Sequence, residues 1–174
     1  TSGTSAPYNR GIAVDQNKTQ NVWFAEHSEN KIAKVRPSAT RNVFDSGTNQ
    51  WKTEETWILM EYGVPTSNSG PNDVAVDSNG FVWFTEEKVG KIGRLNPWSG
   101  KVTEYTVSDL GGGEIYGESP YMDRLRSLAI DSKGYVWFTL DLDLLRAALG
   151  GSPYDKLGKL NPWTGEYVLY DIPT

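Results

Sequence analysis

The sequence predicts an all-β fold of three consecutive four-stranded sheets, and three observations predict it. A motif of about fifty residues recurs three times. Each copy has an apolar triplet at its centre: Val22-Trp23-Phe24, Val82-Trp83-Phe84 and Val136-Trp137-Phe138. Turn-forming sequences interrupt the copies at matching places, while helical periodicity is poor.

The first copy reads GIAVD (11–15), NVWFAE (21–26) and NKIAKVRP (30–37). The second reads DVAVD (73–77), GFVWFTEE (80–87) and GKIGRLNP (90–97), and the third SLAID (127–131), GYVWFTLD (134–141) and DKLGKLNP (155–162). Each closes with a further apolar segment, at 57–65, 101–107 and 166–173. Every copy therefore holds four strand-like segments, a to d. The uneven spacing of Trp23, Trp83 and Trp137 requires insertions, expected at Ser38–Glu55 in the first c–d connection, Leu110–Arg124 in a d–a connection and Leu142–Tyr154 in a b–c connection.

Strand b decides the architecture. Adjacent Trp and Phe side chains point to opposite faces of a strand. A sheet with one wet face would alternate apolar with polar residues. Both faces of each sheet are thus expected to be covered, as in a blade packed between neighbouring blades of a β-propeller. Asp77-Ser78-Asn79-Gly80 and Asp131-Ser132-Lys133-Gly134 carry hairpin chemistry between a and b, with Asp15, Asp77 and Asp131 starting the turns. Asn96-Pro97-Trp98-Ser99-Gly100 and Asn161-Pro162-Trp163-Thr164-Gly165 carry it between c and d, where Trp98 and Trp163 are expected to cap the blade edge. Only Asp141–Gly150 has the pattern of a short helical turn.

These segments place the whole chain, 1–174, in one propeller segment, with blades at about 9–65, 71–109 and 125–173. Three blades do not close a ring. The expected arrangement is part of a longer ring of blades, or half of a six-bladed ring completed by a second copy (2 × 3 blades). Further blades, from a longer chain or a second molecule, are accordingly expected partners. The start Thr1-Ser2-Gly3, without Met, reads as processed or excised.

Composition narrows the function classes. The net charge of −5 argues against a nucleic-acid backbone as partner. No apolar run is long enough to span a membrane. The lack of Cys removes disulfides and thiolate metal sites. Asn17-Lys18-Thr19 is a glycosylation acceptor sequence in a predicted turn, which suits an extracellular, periplasmic or cell-surface protein. Gly111-Gly112-Gly113 lacks the following Lys-Ser/Thr of a phosphate loop.

The pattern xAVD, turn, VWFTE, KIGRLNPxxG, VTEYxV resembles the repeat of virginiamycin B lyase-like (streptogramin lyase) propellers, most closely over Pro71–Val107. The resemblance implies a six- or seven-bladed ring. It also implies a carbon–oxygen lyase that opens a cyclic depsipeptide lactone by elimination, with Mg²⁺ and with histidines and a glutamate near the channel mouth. Several family histidines precede strand a in a Pro-His step. Here the steps read Asn9-Arg10, Pro71-Asn72 and Arg126-Ser127, without histidine. Glu26 and Glu86 occupy the family's WFTE glutamate, and Leu140 replaces it in the third copy.

An up-and-down meander puts the b–c and d–a loops on one rim, with strand a innermost. On that rim, His27 and Glu86 are the candidate catalytic pair, His27 being the chain's single histidine. Glu26, Asn72, Asp73, Arg124, Arg126 and Asp141 are the candidate ligand contacts, with Glu29, Glu87 and Asp123 nearby. Glu86, Asp141 and Asp143 are the candidate oxygen ligands for Mg²⁺ or Ca²⁺. Two functional readings follow. One is a binding or scaffold propeller that meets a protein partner or small ligand through the insert-bearing rim. The other is a Mg²⁺-dependent lyase of the family type.

Overall fold

Each Val-Trp-Phe triplet forms the second strand of a four-stranded antiparallel meander. In the computed structural model the described residues are 8–15, 21–107, 124–141 and 156–172. They form twelve strands: β1 (Asn9–Val14), β2 (Val22–Glu26), β3 (Lys31–Asp45), β4 (Gln50–Gly63), β5 (Pro71–Val76), β6 (Val82–Glu86), β7 (Lys91–Leu95), β8 (Val102–Thr106), β9 (Arg124–Ile130), β10 (Val136–Asp141), β11 (Lys156–Leu160) and β12 (Tyr167–Asp171). The sheets are β1-β2-β3-β4, β5-β6-β7-β8 and β9-β10-β11-β12, each in sequence order. No helix occurs among the described residues, so none there is long and apolar enough to cross a membrane.

The triplets sort the two faces of every blade. Trp23, Ala25 and Ile32 of the first sheet pack against Val82, Phe84 and Leu95 of the second. Trp83 and Ile92 of the second pack against Val136, Phe138 and Leu160 of the third. Each blade thus turns its Trp face to the next blade and its Phe face to the previous one. Burying a large apolar side chain is worth about 1.5–3 kcal/mol, so these seams outweigh any single polar tie. Only β6, in the central blade, is buried along its whole length. The ring is open: Ile12 and Val14 are exposed on the first blade, and Val168 and Tyr170 on the third.

The repeat also dictates its local details. Asp77 Oδ1 accepts from the Asn79 and Phe81 amides, and its Oδ2 accepts from Trp83 Nε1 at 3.0 Å. Asp131 does the same for Lys133, Tyr135 and Trp137. The turn aspartates therefore also orient the strand Trp, buried at Trp83 and half-buried at Trp137. Gly93 and Gly158 lie under Phe rings: a Cβ on either would stand 2.1 Å from Cζ of Phe84 or Phe138. Successive blades are stitched by Tyr62 and Tyr105, whose hydroxyls donate to the Pro97 and Pro162 carbonyls. Trp98 and Trp163 stand exposed, edge-on to Phe81 and Tyr135, at the blade edge where the sequence places them.

One expectation is corrected. Ser38–Glu55 is not an inserted loop: β3 and β4 simply continue as a paired two-stranded arm to a turn at 46–49, with a register shift between Pro37 and Ala39. The arm is exposed on both sides, so polar and apolar residues mix without the alternation that announces a strand. The sequon, most of 110–124, the segment 142–154 and the helical turn expected after Asp141 lie outside the described residues.

Candidate binding site at the channel mouth

The innermost strands β1, β5 and β9 lie side by side, and their N-terminal ends share a rim with the b–c turns. Close approach is built in at Gly11, which has φ +50° and where a Cβ would meet Asp73 Cα at 2.7 Å. Asp73 continues the stitching: its Oδ2 accepts from the Leu128 amide at 2.9 Å, and its own amide donates to Thr85 Oγ1. Asp73 therefore holds strand to strand rather than facing a ligand. Asn72 bridges outward in both directions, accepting from Arg10 Nη1 at 2.7 Å and donating to the Arg126 carbonyl at 2.9 Å.

At the centre of this mouth is Glu87, in the b–c turn of the second blade, with its side chain 3% exposed. Its Oε2 is 3.0 Å from Arg10 Nη1 and 3.4 Å from Arg126 Nη1. Its Oε1 is 3.2 Å from His27 Nε2 and 3.5 Å from Arg124 Nη1. All three blades thus converge on one carboxylate. Burial alone would raise the Glu87 carboxyl, but the His27 hydrogen bond and the Arg10, His27 and Arg126 charges outweigh it and hold it below the ordinary value. Tyr8 stacks on His27 with ring centroids 4.8 Å apart, and the Arg10 guanidinium lies over Tyr8. Arg126 Nε also reaches Asp141 Oδ2 at 3.2 Å.

The structure therefore brings His27, Asn72, Arg124, Arg126 and Asp141 into one constellation. It separates Glu86 from them. Glu86 lies on the Phe84 face of β6 and is fully buried toward the first blade. It takes the position that Leu140 fills with an apolar side chain in the third blade. Burial, followed by the nearby Glu104 charge, pushes its carboxyl up to about 7 against the lowering effects of Ser69 and Lys91. Glu26 lies beside Glu61, and burial with that neighbour raises its carboxyl too. His27 is sealed, with Nε2 aimed at Glu87 and Nδ1 buried without a hydrogen-bond partner.

Of the expected cation ligands, the two that are described, Glu86 and Asp141, are not brought together. Glu86 faces the inter-blade seam, Asp141 is drawn to Arg126, and Asp143 lies outside the described residues. Among the described residues no three carboxylate or imidazole groups gather in a way that could hold a metal ion. The mouth is instead lined by guanidinium.

Sequence reasoning missed Arg10 as a site residue and left Glu87 among general rim charges. The signal lay in the repeat. The register puts Asn9, Pro71 and Leu125 opposite Glu26, Glu86 and Leu140. The third pre-strand step is consequently Leu125-Arg126, not Arg126-Ser127. Arg10, Asn72 and Arg126 then share one repeat position, and His27, Glu87 and Asp141 another.

Three stacked four-stranded meanders with innermost first strands define the class: an open segment of a β-propeller. Among propellers, the chain's likeness is to the virginiamycin B lyase-like, or streptogramin lyase, group. Virginiamycin B lyase from Bacillus licheniformis is 49% identical over 37 residues, which is 21% of this chain and 12% of that protein. A solved streptogramin B lyase superposes with a TM-score of 0.58 at 25% identity, covering 95% of this chain and 41% of that one. A gluconolactonase from Xanthomonas campestris shares the fold at a TM-score of 0.56 and 15% identity, over 97% of this chain and 48% of that one. No family model matches the chain. The chain spans less than half the length of each of these relatives.

Proposed function

We propose that the chain is an extracytoplasmic β-propeller binding module that takes a small ligand or protein partner at the Glu87 mouth. One observation carries the reading. Side chains from three blades meet on one buried carboxylate, yet Arg10, Arg124 and Arg126 remain 35%, 33% and 39% exposed. Guanidinium groups that are held in place by a buried carboxylate and still reach water are available to a ligand, as a recognition surface on a rigid scaffold requires. The exposed faces of the first and third blades are where further blades, from a longer chain or a second copy, would stack. The extracytoplasmic setting rests on the Asn17-Lys18-Thr19 acceptor sequence.

The second reading is a lyase that opens a cyclic depsipeptide lactone, favoured by the likeness to streptogramin B lyase. Such a reaction needs a base beside the proton alpha to a carbonyl. The two candidates on this chain are closed off: His27 is engaged with Glu87, and Glu86 is buried in a seam. The binding reading is therefore preferred.

Incubating the full chain with virginiamycin B and Mg²⁺ separates the two. The binding reading expects recovery of intact lactone. Accumulation of a ring-opened isomer of unchanged mass would establish the lyase instead.

A further inference from the structure

Among the described residues, three arginines face two carboxylates in this cluster, Glu87 and Asp141, in a chain whose net charge is −5. Each arginine directs only Nη1 at Glu87, and Arg126 adds Nε to Asp141. A guanidinium carries five N–H donors in a flat fork that matches a carboxylate. The Nε and Nη2 groups of Arg10 and Arg124 have no hydrogen-bond partner among the described residues. Both side chains are anchored within 3.5 Å of one buried carboxylate, Arg10 on Oε2 and Arg124 on Oε1, so the two guanidinium groups come to one point of the mouth. Arg10 comes from the first blade and Arg124 from the third, which makes the pairing a product of the fold rather than of local sequence.

We infer that this mouth binds a ligand through a carboxylate, met by Arg10 and Arg124, with an apolar body lying against the exposed Tyr8 ring. The inference rests on reading the rim as a binding site and adds the ligand's chemical class. A singly charged carboxylate suits the described cluster, where three positive groups stand against two negative. A doubly charged phosphate would also feel the repulsion of Glu87 and Asp141. The Tyr8 ring, 42% exposed, stacks on His27 and lies under the Arg10 guanidinium, which sets exposed apolar surface beside the charge. The site recognises the anionic group and leaves the bulk of the ligand to the rest of the rim.

The test uses the full chain, ¹⁵N-labelled, with the arginine Nε–Hε resonances as readout. Phenylacetate, its neutral amide phenylacetamide, and inorganic phosphate are titrated at low and high salt. Phenylacetate is expected to shift the Arg10 and Arg124 resonances saturably and to bind more weakly at high salt. Arg124→Lys keeps the charge beside Glu87 but loses the fork, and is expected to weaken binding about tenfold. Asp141→Asn removes a competing charge and is expected to tighten binding several-fold, a gain that a merely structural role would not produce. Phenylacetamide binding as well as phenylacetate would overturn the ligand class and leave the binding module standing. Tighter binding of phosphate would overturn the carboxylate assignment in favour of a phosphorylated ligand. If no probe shifts these resonances and the variants change only the melting temperature, this inference and the binding reading both fall.

Discussion

The Nε2 atom of His27 lies 3.2 Å from Oε1 of Glu87, joining equivalent positions in the b–c turns of two adjacent blades. With Arg10 on the same carboxylate from the first blade and Arg124 and Arg126 from the third, Glu87 is the point where three sheets meet polar group to polar group.

Replacing Glu87 by Gln is expected to destabilise the chain by about 2–3 kcal/mol, the scale for disrupting charge-assisted hydrogen bonds at a buried group. The sign of its pH dependence follows from the lowered carboxyl. A group held below its unfolded value stabilises above that value and loses the contribution as pH falls through the folded one. Urea unfolding at acid and neutral pH measures this. The wild type should lose stability toward acid faster than Glu87→Gln.

Glu86 predicts the opposite slope. Its folded carboxyl is raised to about 7 from 4.5, so the folded state holds a proton that the unfolded chain has released. Its contribution is intact below the unfolded value and is lost as pH rises through about 7. The full loss is of the order of 3 kcal/mol. Glu86→Leu, the residue of the matching position Leu140, should raise the melting temperature more at pH 8 than at pH 5. An equal change at both would show that charge burial is not the cause.

Gly93→Ala forces a Cβ to within 2.1 Å of the Phe84 ring on the neighbouring strand. Overpacking of this kind costs about 1–3 kcal/mol, read as a lower urea midpoint. The double variant with Phe84→Leu should recover part of the loss, because the clash is with the ring edge.

Tyr105→Phe removes the hydroxyl that donates to the Pro162 carbonyl while keeping the ring stacked on Trp83 at 5.6 Å. The expected loss is about 1 kcal/mol, with faster amide exchange in β11, which ends next to Pro162 and Asn161.

The sequence-to-structure relation is uneven, for physical reasons. Blade order and the buried Trp and Phe faces were legible because a period-two strand with large apolar neighbours has few other solutions. The turns were legible because Asp77 and Asp131 sit where hairpin chemistry needs them. The arm formed by Phe44, Trp51 and their neighbours was not, since a two-stranded ribbon exposed on both sides has no core face to imprint a pattern. The mouth was half legible. Its residues are far apart in sequence, Arg10 and Glu87 being 77 positions from each other, and only the register of three sheets brings them together. A one-residue misalignment at Arg126 hid the shared position of Arg10 and Arg126. A bulge between Phe138 and Leu140 lies beside that step. Glu86 and Glu87, adjacent in sequence, point to different surroundings, which the alternation of a strand end entering a turn decides.

A double-mutant cycle between Arg10 and Glu87 tests the convergence of blades on this carboxylate most directly. Urea unfolding of Arg10→Gln, Glu87→Gln and the double variant should give a coupling energy of about 1–2 kcal/mol. Strictly additive losses would show that the two side chains do not meet, and the mouth described above would not exist.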